Sequence, residues 1–237
     1  MFFIFMIGFY SIIDLLILVM DYSKANKEVY DKISENWETK RQYFWKPVIE
    51  FVESFSDKSK LKFLDLGCGG GRHLELAEKS GFLKSNLVGS DISENQLKTV
   101  SNKGYKTVLC NFIDIPLESD SFDSIVCIAA HHHLLESDLQ LKALVEMRRI
   151  LKSSGKLLLS NWFPEKEFLD KQVSKGKFVF DCGDSSKVRV TYDLDGVKLD
   201  RFYYLFNEKE LIDLCVRAGF SVLSKEYFRG NLYLTLG

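Results

Sequence analysis

Residues 64–72 read LDLGCGGGR, and they constrain this chain more than any other stretch. The apolar run 61–66 contains Asp65 and has the length of a buried parallel strand. Four glycines then fall within 67–71, and residues 72–80 carry a helical pattern. Glycine loses much backbone freedom on folding, so this density marks a turn that needs positive φ or close approach by a ligand. Strand, glycine turn and helix together aim bare backbone N–H groups at whatever sits above the helix N-terminus. A dinucleotide fingerprint spaces its glycines G-x-G-x-x-G. Here Gly67, Gly69 and Gly71 alternate, the third one residue early, and Asp65 precedes the first. Asp91 follows a second apolar run, 86–90. A carboxylate there can accept from both hydroxyls of a ribose and would repel a 2′-phosphate. The pattern predicts a nucleoside cofactor held at the edge of an α/β sheet.

The remaining periodicity agrees with such a sheet. Residues 24–38 form an amphipathic helix with Val29, Ile33 and Trp37 at helical spacing, and 47–55 form a second. Strands are predicted at 61–66, 86–90, 106–109, 121–129 and 155–162, alternating with helices at 72–80, 94–103 and 137–151. Ser93 and Ser137 suit N-caps and Gly104 a helix stop. Alternation of this kind predicts a doubly wound, mostly parallel sheet with helices on both faces and ligands at the carboxyl ends of its strands. The stretch 164–200 breaks the alternation: it is polar, with a strand-like 187–193 and a turn signal at Asp195-Gly196. It reads as an inserted lid. A last helix at 208–218 and two strands within 220–236 complete the chain.

A chain of 237 residues suits one domain, here 20–237, and a net charge of −1 excludes global attraction to nucleic acid. Five scattered cysteines without a C-x-x-C pair argue against zinc and for a reduced, cytoplasmic chain. His131, His132 and His133 are adjacent, but no carboxylate pattern accompanies them, so no metal site is expected. Residues 1–19 are almost wholly apolar, with Asp14 the one charge. Three readings are open for them: a start artefact with translation beginning at Met20, which is preferred, a membrane anchor, or a helix packed on the domain. An aspartate near mid-span would cost about 2.5–3.5 kcal/mol on insertion scales.

Asp65-x-Gly67-x-Gly69-x-Gly71 resembles motif I of class I S-adenosylmethionine (SAM) methyltransferases. That resemblance implies a seven-stranded Rossmann-like sheet closed by an antiparallel hairpin, and SAM as the cofactor. It also counts Ile92, next to Asp91, among the cofactor contacts, and it places Asn111 with the backbone of Phe112 at the adenine, a role that Asp114 would take after a small register shift.

Other stretches resemble one subgroup, the tRNA wobble-uridine carboxymethyl methyltransferases. Its early Tyr-x-x-Ile helix and Thr-Arg-x-x-Pro-Trp-Pro stretch correspond to Tyr30, Ile33, Trp37, Thr39, Arg41, Trp45 and Pro47, with one residue inserted on each side of the Arg-to-Trp spacing. Its Ile-Ala-x-x-His-His corresponds to Ile128-Ala129-Ala130-His131-His132-His133, His131 being extra. Its Arg-Tyr-Tyr-x-x-Phe-x-Glu-x-Glu-Leu matches 201–211, and the end, 227–232, resembles Tyr-Asp-x-Gly-Asn-Trp without the aspartate and tryptophan. The resemblance runs from about Val29 to Leu236.

This subgroup esterifies the carboxylate of a 5-carboxymethyl group on wobble uridine 34. The resemblance therefore implies Arg41 and Arg201 at the acceptor carboxylate, which a guanidinium can hold bidentately. His132 is expected beside the acceptor, and Trp45, Tyr203, Tyr204 and Asn231 as further acceptor contacts. Two partners are implied, a tRNA anticodon loop and a small zinc-binding activator protein pairing with a sheet edge at 106–109. Basic residues on the lid, interleaved with Phe178 and Tyr192, suit single-stranded RNA. The competing functions are a small-molecule methyltransferase of quinone or lipid type, the latter favoured by a real anchor at 1–19, and a catalytically silent SAM-binding scaffold.

Overall fold

A computed structural model describes residues 22–39 and 43–237, with backbone alone for 35–39. Residues 1–19 and Arg41 lie outside the described residues.

Ten strands and seven α-helices alternate along the described chain. The opening helices are α1 (Tyr22–Thr39) and α2 (Lys46–Glu53). The alternating half follows: β1 (Phe63–Leu66), α3 (Arg72–Lys79), β2 (Leu87–Asp91), α4 (Glu94–Asn102), β3 (Lys106–Leu109), β4 (Phe122–Ile128), α5 (Ser137–Ile150) and β5 (Leu151–Trp162). An inserted unit comprises α6 (Lys166–Ser174), β6 (Phe178–Phe180), β7 (Lys187–Leu194) and β8 (Val197–Tyr204). The chain closes with α7 (Glu208–Arg217), β9 (Val222–Phe228) and β10 (Asn231–Leu236).

The main sheet has seven strands in the order β3-β2-β1-β4-β5-β10-β9. Strands β1 to β5 are parallel to one another, and β10 runs antiparallel to both β5 and β9. This is the doubly wound, mostly parallel sheet that the alternation predicts. Burial on both faces explains why β4 ends in an unbroken apolar run, Ile125-Val126-Cys127-Ile128. Ile125 and Cys127 pack with α5 and α7 on one side, and Val126 and Ile128 with α2, α3 and α4 on the other. The order reverses beside β1, whose neighbours β2 and β4 carry the chain in opposite directions. Such a switch point opens a crevice at the carboxyl ends of the strands.

The insert is a small unit of its own. Its strands form an antiparallel sheet, β6-β7-β8, over a core of Phe178, Val188, Val190 and Tyr203. Asp195 and Gly196 join β7 to β8 with φ of +52° and +88°, the left-handed pair that a two-residue hairpin needs. Strand β8 runs past residue 200, so Arg201 and Tyr203 belong to the insert. Helix α1 lies against β8, where Val29, Ile33 and Leu199 form a separate apolar cluster.

Candidate cofactor and acceptor site

The turn after β1 is built around Gly67. Its φ is +76°, and an added Cβ would stand 2.5 Å from the Ala130 Cβ and 3.2 Å from the Phe112 ring. A side chain there would collide with the loop that ends β4. Gly67 and Cys68 both donate their N–H to the Ser90 carbonyl, which ties the turn to β2 (2.7 and 2.9 Å). Gly69 N–H donates to Asp91 Oδ2 and Ser93 N–H to Asp91 Oδ1, both at 2.9 Å. Asp91 is thus fixed by the turn it faces. Burial pushes its carboxyl up to about 6, and the Ser93 and Gly69 amides hold it from rising further. Each oxygen keeps a lone pair for a hydroxyl donor from the cleft.

The cleft opens at the carboxyl ends of β1 to β4. Of the residues expected around the cofactor, Gly67, Gly69, Asp91, Ile92, Asn111 and Phe112 line it. Gly71 and Asp65 do not. Gly71 has φ +83°, and its bare Cα lets α3 close on Val100 of α4, where a Cβ would stand at 3.1 Å. Asp65 is fully buried behind the turn, with Oδ1 3.4 Å from His73 Nδ1 and no hydrogen-bond partner at Oδ2.

The roof of the cleft comes from α1, through Ser23, Asn26 and Tyr30. Asn26 was legible only as a polar residue on the same helical stripe as Val29, Tyr30 and Ile33. Its amide pairs with the backbone of Phe202 in both directions, accepting from N–H at 2.9 Å and donating to C=O at 3.0 Å. An amide side chain used this way extends the edge of β8 as another strand would.

The three histidines occupy a 3-10 turn, His131–His133, directly after β4. His131 points into the core, stacked on Phe206, with Nε2 3.0 Å from the Gln140 carbonyl. His132 is buried, and its Nδ1 accepts the Trp162 N–H at 2.9 Å. His133 lines the cleft. Its Nδ1 lies 2.9 Å from the Phe202 carbonyl, which can only accept, so that nitrogen carries the proton. Nε2 then accepts from the Tyr30 hydroxyl at 2.8 Å. Where the sequence pointed to His132, the structure puts His133 in the cleft wall and His132 behind it.

Arg201 is hydrogen-bonded to Tyr30, and its guanidinium lies 5.3 Å from the Tyr192 ring centre and 5.6 Å from that of Tyr203. Burial opposes its charge, but the tyrosines around it more than offset that and hold its pKa above the usual arginine value. Tyr203 is buried against His132 and His133. Tyr204 faces the other way, donating to Glu210 at 2.5 Å. Trp45 and Asn231 lie outside the cleft lining. Trp45 stacks under Arg72, 4.6 Å away, and Asn231 donates to the Arg229 carbonyl at 3.0 Å. On the insert, Lys187 pairs with Glu136, Arg189 pairs with Asp200, and Phe178 is buried. Among the described residues no group of three or more His, Cys, Asp or Glu could hold a metal ion. No described helix is long and apolar enough to cross a membrane.

Residues 64–159 match the methyltransferase domain family. A tRNA (carboxymethyluridine(34)-5-O)-methyltransferase of Arabidopsis thaliana is 32% identical over 139 residues, 59% of this chain and 33% of that protein. The Schizosaccharomyces pombe protein of the same name is 26% identical over 220 residues, 87% of this chain and 93% of its own length. The chain thus spans about a third of the plant relative and nearly all of the fission-yeast one. A solved SAM-dependent methyltransferase of Clostridium acetobutylicum superposes with TM-score 0.65 at 15% identity, covering 88% of this chain and 98% of that one. A chain solved in complex with the Haloferax volcanii Trm112 methyltransferase activator gives TM-score 0.65 at 13% identity, covering 89% and 95%. Both structures show a shared fold.

The chain is a SAM-dependent methyltransferase with a Rossmann-like sheet, and S-adenosylmethionine is its cofactor. More narrowly, it resembles the tRNA (carboxymethyluridine(34)-5-O)-methyltransferases. The residues present fit the cofactor. Asp91 has lone pairs to spare for ribose hydroxyls, the turn at Gly67 and Gly69 offers bare backbone, and Ile92 and Phe112 offer apolar surface to a purine. When bound, SAM supplies a methyl group on a sulfonium, open to in-line attack by a nucleophile. The chain's part is to hold both reactants in line and, through α1, to keep water out.

Proposed function

We propose that the chain methylates the carboxylate of a 5-carboxymethyluridine at wobble position 34 of tRNA. The observation that carries this reading is the half-buried Arg201 guanidinium, bonded to Tyr30 in the cleft wall and flanked by Tyr192 and Tyr203. A cation fixed there favours an anionic acceptor. A carboxylate is already ionised at neutral pH and needs no general base. His133 and the Tyr30 hydroxyl then act by orienting the acceptor. Likeness to the fission-yeast tRNA methyltransferase over most of both chains supports the same acceptor. In this reading Asp91 takes the ribose hydroxyls, Asn111 and Phe112 the adenine, and Arg41 stands with Arg201 at the carboxylate. The chain acts in the cytoplasm.

The reading includes an activator subunit. Strand β3 is the sheet's edge, with Leu109 half exposed, and offers unpaired backbone to an added strand. Likeness to the chain solved with the Trm112 activator supports such a partner.

The test is mass spectrometry of nucleosides from tRNA of cells with and without the gene. Loss of the wobble-uridine methyl ester, with its free acid accumulating, is expected. An unchanged wobble-uridine profile would remove the tRNA reading in favour of a small-molecule acceptor.

A further inference from the structure

Helix α1 roofs the cleft, yet little apolar surface holds it there. The buried apolar side chains described on it are Val29 and Ile33, and their cluster with Leu199 is separate from the two main cores. Polar contacts must therefore supply much of its attachment, and they fall at two places. One is the acceptor end, where Asn26 and Tyr30 meet Phe202 and His133.

The other is Asp31. Its Oδ1 accepts from the Ser93 hydroxyl at 2.5 Å and from the Asn95 N–H at 3.4 Å. Its own carbonyl accepts from Asn95 Nδ2 at 3.2 Å, and Lys27 reaches Oδ2 at 2.9 Å. Burial works against the Asp31 carboxylate, but the bonds from Ser93, Lys27 and Asn95 outweigh it and hold the carboxyl below its usual range. Ser93 is fully buried and works three ways. Its hydroxyl donates to Asp31 while accepting the Gln96 N–H as the N-cap of α4, at 3.2 Å. Its own N–H donates to Asp91 Oδ1 at 2.9 Å. One serine thus joins the roof helix to the acid that faces the ribose. Asp31 itself does not line the cleft.

We propose that Asp31 is a positioning residue for the cofactor: by anchoring Ser93 it fixes Asp91 against the glycine turn and straps α1 over the bound nucleoside. The strap sets how fast the cofactor product leaves, because the nucleoside lies under α1 and a ligand must pass the helix to escape. This inference rests on the cofactor cleft and not on the identity of the acceptor.

The test is stopped-flow dissociation of S-adenosylhomocysteine (SAH) from the full chain, with affinity by calorimetry. Asp31→Ala should release SAH about tenfold faster, the loss of one charge-assisted hydrogen bond. Asp31→Asn keeps an acceptor for the Ser93 hydroxyl without the charge and should show a smaller change. Glu28→Ala, on the exposed side of the same helix, should match the wild type. Ser93→Ala should also speed release, and Asp31→Ala/Ser93→Ala should add little to it, since both break one connection. Amides of residues 23–34 should exchange faster in the SAH complex of Asp31→Ala than in that of the wild type. A merely structural role for Asp31 would lower the melting temperature of the ligand-free chain and leave the release rate unchanged. Release within about twofold of wild type in both Asp31 variants, or additive effects in the double variant, would overturn the proposal. If Asp31→Ala fails to fold, the release rate of Asp31→Asn decides it.

Discussion

In a 3-10 turn each residue advances by about a third of a circle, so three consecutive side chains leave in three directions. His131 enters the core, His132 turns to the backbone of β5, and His133 meets the cleft. Their chemical identity is the same, so a sequence cannot tell which one touches ligand without the phase of the turn. Position alone then sets their titration. His131 is fully buried, and burial lowers its pKa to about 4. A histidine held neutral in the fold and free to charge when unfolded stabilises the fold fully above its unfolded pKa of about 6.5, and that contribution is lost as pH falls from there toward 4. Asp91 acts in the opposite sense. Its raised carboxyl pKa, about 6, favours the fold at low pH, and this contribution disappears as pH rises through 6. Replacing His131 with Leu should therefore flatten the fall in melting temperature between pH 7 and pH 5. Some stability would be lost throughout, because Asn161 loses its 3.3 Å partner at His131 Nδ1. Differential scanning calorimetry across that range checks it, and an unaltered pH slope would show that His131 is not the group responsible.

Strand alternation sorts the residues of β8 as the 3-10 turn sorts the histidines. Arg201 and Tyr203 face Tyr30 and the histidines, while Tyr204 leans on Glu210. Arg201→Met keeps the bulk of the side chain and removes the charge. It should leave SAH affinity unchanged and lower kcat/KM for tRNA by roughly 30- to 100-fold, the scale of one charged hydrogen bond. Steady-state kinetics beside calorimetry separates the two, and equal loss of SAH binding would contradict the assignment. The β1–turn–α3 unit was legible because every constraint on it is local: an apolar run, glycines with required geometry, and an acid one strand later. The roof was not legible, because Asn26 and Phe202 are 176 residues apart and neither carries a local signal of the other. The insert fell between these cases. Its hairpin turn was readable from Asp195-Gly196, but its boundary was not, since β8 and α7 are joined without a break in polarity.

The molecule as a whole follows from one topological fact, the reversal of strand order beside β1. It brings the ends of β1, β2, β3 and β4 together, so that Gly67, Asp91, Asn111 and Ala130 meet though spread over more than sixty residues. Alternating strands and helices foretell a parallel sheet but not this order. The closing antiparallel hairpin was expected only from likeness to a known superfamily, and the place of β10 between β5 and β9 is set by the structure. Ala129 shows how closely the loops are drawn together: it carries φ +54° in the cleft wall, a conformation costly for a residue with a Cβ. Helix α1 then closes the cleft from the far side, attached largely through polar contacts, while the insert packs its aromatic core on Trp162 of β5.

The central claim is that the acid at the end of β2 grips the nucleoside cofactor. Calorimetric titration of SAH between pH 8 and pH 5 tests it most directly. Wild-type affinity should hold above pH 7 and fall about tenfold per pH unit below 6, as Asp91 takes up a proton and loses an acceptor. Asp91→Ala should show little or no binding at any of these pH values. Near-normal SAH affinity in Asp91→Ala would contradict the account.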